Sequence, residues 1–290
     1  MGDNLLDAEH EQPLLINRSG SEDEEEILDT RTGESFAGRR MDSSGTVGTD
    51  PRDLEGFSLF YWLAQGLGAL IMVLVVLWTS NYRGGFAWSS NPALEFNWHP
   101  VLMSLGMIFI YANGIMTFRY MRYHRKRQLK LVHACCHVAT FLLTVVGLCA
   151  VFDSHNLANP PIPNLYTLHS WVGLTAVILF CCQFVVGFAS FLYPGAKQSL
   201  RTALMPVHRY FGMLGFLLAI AAALMGLLEK AIFALPNYKE LPGEGMLINC
   251  IGALMVVFAA VVIFVVSNHG YRRVPMAEDE TLLTAESQLG

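Results

Sequence analysis

The chain has 290 residues, of which 53% are hydrophobic and 15% charged, with a mean hydropathy of +0.40 and a formal net charge of −5. Soluble domains carry about 25% charged residues. This balance therefore excludes an ordinary soluble enzyme, a nucleic-acid binder and a secreted disulfide scaffold.

The charge is unevenly placed. Residues 1–50 hold 13 acidic and four basic side chains, whereas 51–290 hold 11 acidic and 15 basic. Residues 1–56 read as an acidic, disordered tail. No cleavable signal peptide is expected at such a polar start, so the first apolar run should insert uncut.

A hydrocarbon layer about 30 Å thick needs roughly 20 apolar residues per helix. Six runs meet that requirement: 57–80, 97–119, 131–152, 166–192, 205–228 and 246–268. Turn chemistry separates them, as in Arg83-Gly84-Gly85, Asn159-Pro160-Pro161-Ile162-Pro163 and Tyr193-Pro194-Gly195. The expected fold is all-α: a six-helix membrane domain over 57–270, a core of spans 2 to 5, and a short tail from 271 to 290. All six cysteines fall in apolar runs without a CxxC pair, and read as buried free thiols.

Basic residues set the orientation. Arg119, Arg122, Arg125, Lys126, Arg127 and Lys130 lie between spans 2 and 3. Lys197 and Arg201 lie between spans 4 and 5, with Arg209 just inside the next helix, and Arg272 and Arg273 follow span 6. The alternate loops are poor in basic residues. By the positive-inside rule both tails and the two basic loops are cytosolic.

Ionisable residues inside spans are costly, which makes each one a functional candidate. Spans 2 to 5 each begin with a histidine: His99, His133, His169 and His208. Chain direction alternates, so His99 and His169 share the non-cytosolic level while His133 and His208 share the cytosolic one. The levels should lie about 20 Å apart at the helical rise per residue. Two imidazoles at each level of a helix bundle suit the axial ligation of haem. Zinc prefers four ligands, and no carboxylate joins either level inside the spans. Gly147, Gly173, Gly187 and Gly212 are placed to let a flat macrocycle approach backbone, although small residues also serve plain helix packing. His137 follows His133 by one turn on the same face, so spacing leaves either with a claim on the cytosolic position.

The motifs FNWHP (96–100), KLVH (130–133), VFDSHN (151–156), YTLHSWVGL (166–174) and SLRTALMPVH (199–208) resemble the cytochrome b-561 family, and its duodenal branch in particular. That resemblance runs from about 57 to 273. It implies a six-helix, usually homodimeric, ascorbate-dependent transmembrane electron carrier with two haem b groups. It implies ligation by His99 with His169 and by His133 with His208, with His137 beside them as an alternative ligand. It also implies a cytosolic ascorbate site at Lys126, Lys130 and Arg201, with Arg119 as a further basic position. The spacing agrees, because Lys130 and Lys126 precede His133 by three and seven residues and Arg201 precedes His208 by seven.

At the opposite face Asp153, His155, Tyr166 and Glu244 are candidates to receive the acceptor, monodehydroascorbate or a ferric chelate, since carboxylate and imidazole suit iron. Two alternatives remain at this point, a histidine-based transition-metal transporter and a quinone-linked cytochrome b. The acidic dileucine patterns at Glu11–Ile16 and Glu278–Leu283 suggest a secretory-vesicle, endosomal or lysosomal address, beside the plasma membrane. Asn17-Arg18-Ser19 fits a glycosylation sequon but would lie on the cytosolic side.

Overall fold

The computed structural model describes residues 54–273, together with Ile16–Asn17 and Glu26–Ile27. It divides into two units, Met1–Glu55 and Gly56–Gly290. In the first, β1 (Ile16–Asn17) pairs antiparallel with β2 (Glu26–Ile27), Ile16 opposite Ile27. The proposed disorder of the tail, the rest of both dileucine patterns, and Arg18 and Ser19 of the sequon lie outside the described residues.

The described residues of the second unit form helices joined by turns and loops, with no strand among them. Among the described residues, six helices are long and apolar enough to cross a membrane: α1 (Phe57–Tyr82), α2 (Pro92–Tyr120), α3 (Lys126–Asn156), α4 (Leu168–Phe191), α5 (Gln198–Ala234) and α6 (Gly243–Ser267). The shortest, α4, has 24 residues. At 1.5 Å per residue that is about 36 Å, longer than the hydrocarbon layer. Among the breaks, Gly84, Gly85 and Gly195 have φ of 82°, 84° and 85°, a left-handed conformation open to glycine at little cost.

Helices α2, α3 and α5 run past their apolar stretches. The added turns of α3 and α5, KRQLK and QSLRTAL, mix polar and apolar residues and keep helical bonding after the helix leaves the apolar layer. Helix α2 starts at Pro92, whose fixed φ suits a first turn, and the Asn91 side chain accepts the Leu94 amide at 3.4 Å. Over Ser104–Ile110 α2 widens into a π turn, and the Gly106 carbonyl there accepts the Thr140 hydroxyl of α3 at 3.1 Å. A capping box of Thr167 and Ser170 opens α4.

The packed core joins α1, α2, α5 and α6, with Ala176 and Phe180 of α4. Phe60 meets Phe264 at 4.5 Å and Phe57 meets Tyr271 at 5.1 Å, while Gly68 of α1 lets the Phe109 ring of α2 lie on backbone. The outer faces of α3 and α4 carry exposed Phe141, Leu142, Val145, Ile178 and Val185. Such faces suit lipid, which does not penalise apolar exposure. The cysteines follow the same rule. All six are unpaired, but Cys135, Cys149, Cys182 and Cys250 are exposed on the helix surface. The expected burial in protein is thus corrected for these four: apolar runs hide side chains in lipid as readily as in a core.

Candidate functional site

Four histidines meet in two pairs. The His99 and His169 ring centroids are 6.1 Å apart with planes at 86°, and those of His133 and His208 are 6.2 Å apart at 70°. In each pair one ring comes from the α2/α3 hairpin and the other from α4/α5.

Backbone carbonyls fix three of the rings. Nδ1 of His99, His133 and His169 lies 3.0, 2.8 and 2.8 Å from the carbonyl oxygens of Gly147, Gly114 and Ala222. A carbonyl can only accept, so a neutral ring there holds its proton on Nδ1. Nε2 then carries the lone pair, the form that binds a metal. His208 is held sterically: a Cβ on Gly187 would sit 2.9 Å from its Cε1, and its Nδ1 has no hydrogen-bond partner among the described residues.

Glycine recurs opposite histidine around the site. His99 bonds the Gly147 carbonyl of α3, and His133 bonds the Gly114 carbonyl of α2. A Cβ on Gly226 of α5 would approach the His169 ring to 2.8 Å, while Gly187 of α4 faces His208. Each antiparallel hairpin is therefore reciprocal, with the histidine at the start of one helix against the glycine near the end of the other. Gly147 and Gly187 thus take up places against neighbouring side chains, and Gly173 meets only the Ala222 methyl at 3.8 Å. Gly212, one turn beyond His208, has no atom within 4 Å of its Cβ position. Of the four glycines read as approaches for a macrocycle, Gly212 alone faces open space. Gly114 and Gly226 were missed, although their spacing from the preceding histidines was visible.

Two imidazoles on opposite sides of one metal, at about 2.0–2.1 Å per nitrogen, have centroids about 6–6.5 Å apart. Both pairs fall in that interval. Among the described residues no group of three or more His, Cys, Asp or Glu could hold a metal ion, so the donors come as two imidazoles per site. That set fits the axial positions of a haem, whose macrocycle provides the remaining ligands. His137 is 8% exposed and its ring lies 4.4 Å from His133, too close for a shared iron between them. Gly114 makes room for it, since a Cβ there would fall 2.8 Å from His137 Nε2.

Lys126 is exposed and Lys130 half-buried on the first turns of α3; Arg201 is half-buried on the first turn of α5 and donates to Gln198 Oε1 at 2.7 Å. These helices carry His133 and His208. Arg119, the further basic position, donates to the Val266 carbonyl at the end of α6 and lies within electrostatic reach of Arg209, beside His208. Arg122, read as a loop charge, is 6% exposed with its guanidinium 3.8 Å over the Phe57 ring, and burial pushes its pKa below the usual arginine value.

At the other end Asp153 and Tyr166 are exposed, and His155 Nδ1 lies 3.1 Å from Asn164 Oδ1. Glu244 is different. Only 7% exposed, it accepts from Trp78 Nε1 at 2.7 Å and pairs with Arg83, so its carboxylate faces the helix interior rather than the acceptor surface.

Residues 98–234 match the family described as eukaryotic cytochrome b561. A plasma membrane ascorbate-dependent reductase of Xenopus tropicalis is 42% identical over 223 residues, covering 76% of this chain and 78% of its own. A transmembrane ascorbate-dependent reductase of Sus scrofa is 40% identical, over 78% of this chain and 89% of its own. A lysosomal membrane ascorbate-dependent ferrireductase of Bos taurus is 42% identical, over 71% and 79%.

Proposed function

Because the chain belongs to the cytochrome b561 family, we propose that it carries electrons from cytosolic ascorbate to an acceptor across the membrane, with His99/His169 and His133/His208 each holding one b-type haem. It is an ascorbate-dependent transmembrane oxidoreductase. The observation that carries the two-haem reading is the pair of imidazole separations, 6.1 and 6.2 Å, at opposite ends of one bundle. Bound there, haem would supply the one-electron redox chemistry, while the protein supplies position and electrostatics.

The chain's own groups divide the remaining work. The Gly147, Gly114 and Ala222 carbonyls hold the Nδ1 protons of His99, His133 and His169, which leaves Nε2 for iron. Lys126, Lys130 and Arg201 attract the ascorbate anion to the His133/His208 end. His155 and Asp153, with Tyr166 nearby, border the acceptor surface. Imidazole and carboxylate suit a ferric chelate, and the ferrireductase name of the bovine relative favours that acceptor. Monodehydroascorbate is the second reading; the relatives named simply as ascorbate-dependent reductases carry no acceptor in their names.

The test is a visible spectrum of the purified protein before and after ascorbate, with haem quantified per chain. Two haems per chain, both reducible by ascorbate, are expected. A colourless protein would point to a metal transporter, and one reduced by quinol but not ascorbate to a quinone-linked cytochrome.

A further inference from the structure

The strongest unassigned feature is a charged group packed among α1, α2, α5 and α6 at the His99 end. Glu244 pairs with Arg83 and takes the Trp78 indole N–H, so these two charges offset each other. Lys230 of α5 lies within electrostatic reach of both, yet its ammonium rests on an aromatic face: Nζ is 4.0 Å from the Phe96 centroid. No carboxylate lies within ion-pair distance of it among the described residues. Phe96 in turn lies 6.2 Å, ring to ring, from His99. Laid end to end, these contacts put a cation at most about 10 Å from the ligand imidazole. Such an ammonium–ring distance is well within cation–π range.

We propose that Lys230, seated on Phe96, is a positioning charge that raises the reduction potential of the haem at His99/His169, and so draws electrons toward that end. The inference rests on the two-haem reading above. Reduction adds one negative charge to a haem site, and a fixed cation nearby favours that state. At about 10 Å and an effective dielectric near 20, the attraction corresponds to an equilibrium shift on the order of tenfold. Packing between helices protects this charge from the salt screening that weakens the exposed cations at the other end. Glu95, Asp153, His155, Tyr166, Glu229, Lys239 and Glu240 are among the other titratable groups of this end, so all comparisons belong at one pH and with residue 230 alone varied. A lysine that merely reached out to water, as long side chains do near helix ends, would leave the potential unmoved.

The experiment is a spectroscopic redox titration of the full-length, haem-loaded protein and its Lys230→Arg, Lys230→Gln and Lys230→Glu variants. The His99/His169 signal is identified by its loss in His99→Ala. The expected midpoints at that haem fall in the order Lys and Arg, then Gln, then Glu, with about tenfold less electron occupancy for Gln at equal ambient potential. The other haem should hold its midpoint. Haem content per chain confirms folding, and Lys230→Gln keeps the test available should Lys230→Glu not assemble. Two-haem variants with unmoved potentials, or with both haems shifting together, overturn this inference alone. Protein without an ascorbate-reducible haem overturns the functional reading and this inference with it.

Discussion

His137 and Glu244 are single residues whose surroundings decide between roles that a residue type leaves open. The His137 ring touches His133 and lies 5.1 Å from Tyr111, but the Gly114 carbonyl that holds His133 Nδ1 does not depend on it. His137→Ala should therefore keep two haems per chain with a shifted spectrum, while His133→Ala loses the haem shared with His208. Pyridine haemochrome quantification checks both, and the reverse pattern would exchange the ligands. Glu244 is an interior anchor for Trp78 and Arg83. Removing its charge strands the half-buried Arg83 cation and an indole donor, at a cost of about 1–3 kcal/mol. Glu244→Ala should lower the thermal unfolding temperature while leaving the rate of acceptor reduction close to wild type. A slower rate at unchanged stability would restore it to the acceptor surface.

Pairs of helices, rather than single ones, build the two levels. In α2 and α3 a glycine follows the histidine by 15 and 14 residues, and in α4 and α5 by 18 in both. In an antiparallel hairpin this spacing sets each histidine beside its neighbour's glycine, as Gly147 with His99 and Gly226 with His169. An added methyl at Gly226 or Gly187 would come within 2.8 or 2.9 Å of the His169 or His208 ring. Gly226→Ala should displace His169 and deplete the His99/His169 haem, and Gly187→Ala should deplete the other through His208. Low-temperature spectra that resolve the two haems would read the selectivity; unchanged occupancy in both variants would mean the rings have slack. Much of this arrangement was legible in the sequence. Apolar run length and histidine position located the spans and the two levels, because both follow from layer thickness and chain alternation. The inward turn of Glu244 and the attachment of Arg119 to Val266 were not legible. Each depends on which helix lies alongside, and a charge at a helix end looks the same whether it meets solvent or a neighbour's carbonyl.

At the scale of the whole molecule, basic residues collect at one end of the bundle, and the donor is an anion at neutral pH. Lys126, Lys130 and Arg201 stand on the leading turns of α3 and α5, whose histidines pair 6.2 Å apart. Lys126 is exposed, and exposed ion contacts are worth only about 0.2–1 kcal/mol each. A single Lys126→Ala should thus slow ascorbate oxidation only a few-fold. The triple Ala variant should lose much more, because three weak attractions to one anion act together during capture and also at the half-buried Lys130 and Arg201. Both haems should remain fully reducible by dithionite, a much stronger reductant that needs no ascorbate site. Raising salt to about 1 M shortens the Debye length to roughly 3 Å, so it should slow the wild type while changing the triple variant little. The positive-inside reading adds sidedness. In sealed vesicles, ascorbate on the side of the α2–α3 and α4–α5 loops should reduce an impermeant ferric chelate on the other side, and the reverse loading should be much slower. Equal rates from both sides, or a triple variant that matches the wild type at low salt, would reduce these cations to signals of topology.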